Sequence, residues 1–152
     1  MSFFVNVMPK DKIETNKYHH SDIIGFKMQP LIELHSSKIV AYEMLSLLST
    51  DNIDAETFFQ QQTKEQSLAL FRSQFSYAKA LLKKNPVIEY WINLPVEIIA
   101  DSVSVDQLCA LVHERRIAIE IQDPVALSSI DAVTHFNFIH GLSRLKKAGW
   151  ML

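Results

Sequence analysis

The alternation of apolar and polar positions becomes regular from residue 23 onward and predicts two neighbouring strands. Residues 23–34 and 38–48 are rich in β-branched, aliphatic and aromatic side chains. The His-Ser-Ser segment at 35–37 between them is typical of a tight turn. The pattern therefore predicts an antiparallel hairpin at the start of the regular part of the chain.

Helical and strand patterns then alternate along the chain. Thr63 is followed three residues later by Gln66, which is the capping-box pattern that starts a helix. Apolar residues at helical spacing follow it, namely Leu68, Phe71, Phe75, Ala78 and Leu82. The patterns predict helices over 55–61, 63–84, 104–115 and 132–148, strands over 87–94 and 117–121, and the opening of a further strand at 150–152.

This order of elements favours a mostly parallel sheet covered by helices. Right-handed crossovers curve such a sheet in one direction, as in a TIM-like (β/α) barrel, which takes about 250 residues. The chain has 152 residues, so we predict an α/β fold that is an incomplete TIM-like barrel with an initial antiparallel hairpin. It would be a fragment of a longer protein, which we favour because it stops within a predicted strand, or a natural truncation, or one half of a split domain.

Residues 1–21 show no regular pattern beyond a short apolar run at 2–8, which is compatible with a short strand. We expect them to form an N-terminal extension, and residues 22–152 to form the domain itself.

Composition and charge narrow the classes of partner. Hydrophobic residues make up 48% of the chain. The formal net charge of -2 supplies no basic field for a nucleic-acid backbone, so we expect no DNA or RNA partner. No run of about 18 apolar residues and no signal peptide is evident, so we expect no membrane partner either. The single cysteine, Cys109, excludes an internal disulfide framework and indicates a reducing, cytoplasmic location.

Polar residues interrupt the apolar rows near the C-terminal ends of the predicted strands. Alternate residues of a strand share a face, so Glu43 lies in an otherwise apolar row. Asn93 lies near the end of the next strand, and Asp123 follows the last one in series with Ile119 and Ile121. Sheets of α/β proteins bind ligands at this end, and oxygen donors of this kind suit Mg2+, Mn2+ or Ca2+.

A purely structural interpretation explains the same residues without a ligand. Glu43 would form a salt bridge at the rim of the sheet, and Asn93 and Asp123 would cap the turns that follow them. The histidines lack a metal-binding spacing, and we expect none of them to be a ligand.

Several segments resemble the EAL-domain family, in the family's order and spacing. Residues 28–31 (MQPL) and 38–45 (KIVAYEML) are similar to the family's opening, where a Q-P strand leads to G-Y-E-A-L-L-R. Residues 92–95 (INLP) resemble V-N-L-S, and 119–123 (IEIQD) resemble L-E-I-T-E. Residues 145–149 (LKKAG) resemble the helix end that precedes the family's D-D-F-G strand.

The resemblance implies a TIM-like barrel with an antiparallel first strand, acting in bacterial cyclic-di-GMP signalling. The family hydrolyses cyclic-di-GMP to linear pGpG with two Mg2+ or Mn2+ ions. The resemblance implies that Glu43 and Asn93 are metal ligands and that Asp123 replaces the family's glutamate ligand. It also implies that Gln29 lies against the dinucleotide.

Departures from the family pattern bear on activity. The arginine that follows E-A-L-L, which contacts the substrate phosphate, aligns with Leu47, and an aliphatic side chain cannot replace a bidentate contact. The family's paired aspartates, later lysine and later glutamate would follow the last residue, and a two-metal phosphodiesterase needs both ions about 4 Å apart. We predict that no catalytic set is complete in this chain and that the chain alone is inactive.

Three functions stay open on the sequence. The departures favour a degenerate EAL module that binds the dinucleotide or a protein partner without cleavage. The alternatives are part of an active cyclic-di-GMP phosphodiesterase and an unrelated α/β domain. The open sheet edge of an incomplete barrel also predicts association with a protein partner or with a second copy.

Overall fold

The computed structural model describes residues 3–5, 22–49, 55–111, 114–122 and 128–152. The elements, in chain order, are β1 (Phe3–Val5), β2 (Ile23–Glu33), β3 (Lys38–Leu48), α1 (Ala55–Gln60), α2 (Lys64–Leu82), β4 (Glu89–Pro95), α3 (Val96–Ile99), α4 (Ser102–Cys109), β5 (Ile117–Gln122) and α5 (Ala132–Lys147).

Strands β2 and β3 form the predicted hairpin. Their antiparallel pairing runs from Ile23 opposite Leu48 to Glu33 opposite Lys38. Ser37 closes the turn in the left-handed region, at φ 55°, and its backbone N–H donates to the Glu33 carbonyl at 2.8 Å. The turn residues expected at 35–37 therefore reverse the chain as predicted.

The five strands form one sheet in the order β1-β2-β3-β4-β5. Strand β1 pairs antiparallel with β2, whereas β3, β4 and β5 are parallel to one another. Beyond β5, Met151 makes a parallel bridge to Ala118, where the opening of a further strand was predicted. Within the described residues the sheet is open, and the α/β fold with an incomplete TIM-like barrel is confirmed.

Helix α2 carries the signals that the sequence predicted for it. Thr63 is its N-cap, and the reciprocal capping-box bonds with Gln66 are both present. The apolar stripe is buried at every position, namely Leu68, Phe71, Phe75, Ala78 and Leu82. The helix ends at Leu82, two residues before the predicted end. The burial of its apolar stripe holds α2 against the sheet.

The sheet has one face covered by helices and one face that is not. Met44, Ile92 and Ile119 pair in a row across β3, β4 and β5, and each is almost fully buried in the core that the helices complete. We call this the helix-packed face. Glu43 and Asn93 alternate with these residues and therefore lie on the opposite side, which we call the open face.

The structure corrects several predicted boundaries. The short helix α3 was not predicted, and strand β4 starts at Glu89 rather than at residue 87. Helix α4 begins at Ser102, two residues early, because Asp101 caps it by accepting from the Ser104 backbone N–H at 2.9 Å. It ends at Cys109, well before the predicted end.

Helix α5 agrees with its prediction and packs very closely on α3. Asp131 caps its start, and Gly149 follows its end with a φ of 97°, as a C-terminal glycine does. A Cβ atom on Gly141 would lie 1.9 Å from the Ile99 carbonyl oxygen. The close approach of the two helices therefore requires glycine at this position.

Candidate metal and dinucleotide site

Glu43 and Asn93 meet on the open face. The parallel register of β3 and β4 places Glu43 beside Trp91, so Asn93 lies two residues further toward the C-terminal end of β4, on the same face. The Asn93 side-chain Nδ2 donates to Glu43 Oε1 at 2.8 Å, and both residues are half-buried. The structure brings together two of the residues that the sequence singled out. Glu43 is hydrogen-bonded to an amide and, among the described residues, does not form the salt bridge that the purely structural interpretation expected.

Glu120 is a third oxygen donor at this position, and sequence reasoning missed it. It lies directly opposite Asn93 in the β4–β5 pair. Its Oε2 atom is buried and has no hydrogen-bond partner. Burial raises the pKa of the Glu120 carboxyl, and the negative charge of Glu43 raises it further. The two carboxylates are therefore close enough to repel each other.

Strand β5 places the row of Ile119 and Ile121 on the helix-packed face, because Ile119 pairs with Ile92. The sequence does not show which face this row takes, because Ile117, Ala118 and Ile119 are all buried and both faces of the strand look alike in sequence. The signal that identifies Glu120 is its register with Asn93. Asp123, the third predicted ligand, lies outside the described residues.

Gln29 lies next to Glu43, because the two are directly paired in the β2–β3 hairpin. It is exposed on the open face, where the resemblance placed a contact with the dinucleotide. Lys27 lies on the same face two residue pairs further along, opposite Leu45, and is half-buried. Leu47 follows on β3 with its aliphatic side chain. The cation near Glu43 is thus a lysine on β2 and not an arginine on β3.

A cavity of about 280 Å³ lies beside Glu43 and Asn93 at the C-terminal ends of the strands. Glu43, Asn93 and Gln122 line it together with Phe59 of α1 and the buried Gln74 of α2. A neighbouring cavity of about 500 Å³ is also lined by Phe59, Gln122 and Pro95. The two cavities share lining residues, which leaves room for a ligand larger than a metal ion next to Glu43.

The donor set fits a hard divalent cation. Two carboxylates and one amide oxygen are ligands of the kind that Mg2+ and Mn2+ prefer. The unpartnered buried oxygen of Glu120 and its repulsion by Glu43 are both relieved by a bound cation. No group of three or more His, Cys, Asp or Glu side chains comes together as a metal site in the described part of the chain, so the amide of Asn93 is needed to complete the set.

Helices long and apolar enough to cross a bilayer are absent from the described residues.

Comparison with solved structures finds EAL-domain proteins, although no family model and no curated protein matches the sequence. An EAL domain protein from Listeria monocytogenes EGD-e has a TM-score of 0.56 and 19% identity, with 83% of this chain and 51% of that chain covered. BlrP1 of Klebsiella pneumoniae, in a calcium and cy-diGMP complex, has a TM-score of 0.55 and 20% identity, with 83% and 32% covered. The EAL enzyme Bd1971, bound to cAMP and cyclic-di-GMP, has a TM-score of 0.54 and 16% identity, with 86% and 39% covered.

The chain spans between 32% and 51% of the length of these solved chains. The strand order and the antiparallel hairpin of this chain agree with these matches. The chain therefore has the fold of EAL-domain proteins, over part of their length.

Proposed function

We propose that this chain belongs to an EAL-type module of bacterial cyclic-di-GMP signalling, located in the cytoplasm, that binds the dinucleotide through a divalent cation without hydrolysing it. The observation that carries the proposal is the buried, unpartnered Glu120 oxygen opposite the hydrogen-bonded pair of Asn93 and Glu43. Such an arrangement costs stability unless a ligand compensates for it.

Glu43, Asn93 and Glu120 would hold one Mg2+ or Mn2+ ion. A role for Asp123, which lies outside the described residues, stays a prediction of the resemblance alone. The Asn93 amide nitrogen already holds Glu43, so its oxygen is the atom suited to the cation. The cation, when bound, supplies positive charge that attracts phosphate oxygens to the open face.

The dinucleotide would lie across the open face and extend into the cavities at the strand ends. Gln29 can donate and accept hydrogen bonds beside Glu43, and Lys27 offers a positive charge next to it. Two of the solved structures with this fold contain the dinucleotide, which supports this choice of ligand.

Hydrolysis is not proposed, for two reasons. Leu47 stands where the resemblance expects a phosphate-binding arginine, and Lys27 can offer only a point charge instead of a bidentate contact. In-line hydrolysis by two metals needs a second cation about 4 Å from the first, and the described residues provide donors for one. The competing proposal, part of an active phosphodiesterase, gains support from the solved EAL enzyme of the same fold.

Calorimetric titration with cyclic-di-GMP, with Mn2+ and with EDTA, tests the proposal. We expect binding that is weakened about tenfold or more by EDTA, and no pGpG on chromatography after incubation. Glu120→Gln should lose the Mn2+-dependent gain, whereas Glu114→Gln, in the loop that precedes β5, should keep it. Release of pGpG would establish the phosphodiesterase instead, and absence of binding under both conditions would overturn the dinucleotide site.

The open face and the free strand edges also favour a macromolecular partner. Beyond β5, only Met151 is seen to bridge to the sheet among the described residues, through Ala118. Unpaired strand edges recruit other strands. We propose that a protein partner or a second copy of the chain covers this edge.

A further inference from the structure

The loops at the N-terminal ends of the parallel strands form one continuous end of the molecule. The β2–β3 turn, the α2–β4 loop and the α4–β5 loop all lead into the start of a parallel strand. Helix α5 returns to the same end, because Met151 after it bridges to Ala118 near the start of β5. Arg116 joins two of these loops by donating to the Val87 carbonyl at 2.9 Å.

This end of the molecule is strongly basic. Seven exposed cations lie on it, which we call the basic end: Lys38, Lys83, Lys84, Arg115, Arg116, Lys146 and Lys147. The described carboxylates in the same loops and strand ends are Glu33, Glu89 and Glu114. The two ion pairs seen between described residues, Lys64–Asp101 and Arg144–Asp106, use none of the seven cations. The net charge of -2 for the whole chain therefore conceals a local excess of positive charge at this end.

Helix dipoles account for only part of this cluster. Lys146 and Lys147 lie in the last turn of α5, where cations are favourable. Lys38 begins a strand, and Arg115 and Arg116 lie in a loop, so a helix dipole does not explain their positive charges. The excess of positive charge needs another explanation.

Apolar side chains protrude from the same end. The hairpin extends beyond the start of β4, because Ala41 and not Lys38 pairs with Glu89. Leu34 at its tip is 94% exposed. Val87 in the α2–β4 loop, next to Lys83 and Lys84, is 69% exposed.

We propose that the basic end docks on an anionic phospholipid bilayer, with Leu34 and Val87 entering the interface and the seven cations facing the lipid headgroups. A bilayer satisfies both features, because basic residues near it are attracted by anionic headgroups and apolar tips are buried in it. Nucleic acid would satisfy the charges but leave Leu34 and Val87 in water, and no exposed aromatic side chain lies among the named residues to stack on a base.

Docking in this way orients the molecule. The candidate metal site lies at the opposite ends of the strands, so it would face away from the bilayer and stay open to solution. Docking on a bilayer requires neither the metal nor the dinucleotide. The sequence predicted no membrane partner because it contains no apolar span, and a peripheral contact made by separate loops leaves no such span.

Vesicle flotation with the full chain tests the proposal. We expect binding to vesicles of phosphatidylcholine with phosphatidylglycerol, loss of binding at high salt, and no binding to pure phosphatidylcholine. The double variant Lys83→Gln, Lys84→Gln should bind about twentyfold more weakly or worse, at roughly fivefold per charge removed. The control double variant, Lys64→Gln with Arg72→Gln, also removes two positive charges, from positions on helix α2 that are not part of the basic end. It should bind like the unchanged chain. Circular dichroism verifies the fold of both.

Leu34→Ser separates a bilayer from another polyanion. It should weaken vesicle binding by about fivefold and leave any binding to duplex DNA unchanged. Absence of vesicle binding, equal binding to neutral vesicles, or equal losses in the two double variants would each overturn the proposal. Binding to DNA that is as tight as binding to anionic vesicles, with no effect of Leu34→Ser on either, would assign the basic end to nucleic acid instead.

Discussion

Asn93 holds Glu43 by a 2.8 Å hydrogen bond between neighbouring parallel strands. Glu120 stands opposite Asn93 on the third strand and has a buried oxygen without a partner. The Asn93 amide thus holds the Glu43 carboxylate and lies beside the Glu120 carboxylate, and the two carboxylates repel each other. A divalent cation bound by both carboxylates would offset their repulsion and give the buried Glu120 oxygen a partner.

Glu120 should make stability depend on pH in the absence of metal. The pKa of its carboxyl is raised above 4.5 by burial and by the charge of Glu43. The folded state therefore binds its proton more tightly than the unfolded state, so its contribution is fully present below pH 4.5 and is lost as the pH rises through the folded pKa. Glu120→Gln should melt at a higher temperature than the unchanged chain at pH 7, and the difference should shrink toward pH 4.

Thermal melts in EDTA at the two pH values measure this effect. A shift of about 2–4 °C corresponds to about 1 kcal/mol for a chain of this size. Glu114→Gln is the control and should show no such pH-dependent difference. A Glu120→Gln variant that is less stable than the unchanged chain at pH 7 without metal would contradict the repulsion.

Lys27 should contribute to dinucleotide binding. Its side chain lies on the open face two residue pairs from Gln29 and Glu43, where it can meet a phosphate. Lys27→Met should weaken cyclic-di-GMP binding by about tenfold, a loss of about 1.4 kcal/mol. Lys38→Met, at the far end of the same hairpin, should bind as the unchanged chain does. Equal affinities of all three proteins would exclude Lys27 from the site.

Gly141→Ala should destabilise the fold. The added Cβ would lie 1.9 Å from the Ile99 carbonyl oxygen, so α5 must move away from α3. Overpacking of this kind costs about 1–3 kcal/mol, measured as a lower midpoint of urea unfolding. Asn137→Ala, an exposed position on the same helix, should stay within about 0.5 kcal/mol of the unchanged chain. A Gly141→Ala variant as stable as that control would show that the helices can separate freely.

Much of the fold could be predicted from local signals, because these act within a few residues. The capping box of Thr63 and Gln66 identified the start of α2, and the turn at 35–37 identified the hairpin. The face of β5 could not be predicted, because a strand buried on both sides has no polar alternation. Glu120 became visible only through its long-range register with Asn93. The basic end was hidden for the same reason, since its cations come from loops that are distant in sequence.

Self-association through the free edge should depend on concentration. The edge beyond β5 exposes backbone groups that another strand can pair with. Sedimentation velocity across a wide range of concentrations should show a dimer or larger species that grows with concentration. A single monomeric species at tens of micromolar would contradict association between copies and leave a different protein as the partner of that edge.

A calorimetric titration of the full chain with Mn2+ alone tests whether Glu43, Asn93 and Glu120 hold a cation. We expect one bound Mn2+ per chain, and an affinity lowered by about tenfold or more in Glu43→Gln, which loses a ligand charge but keeps an oxygen that can accept from Asn93. A chain that takes up no Mn2+, or a Glu43→Gln variant that binds it as tightly as the unchanged chain, would show that these residues are not a metal site.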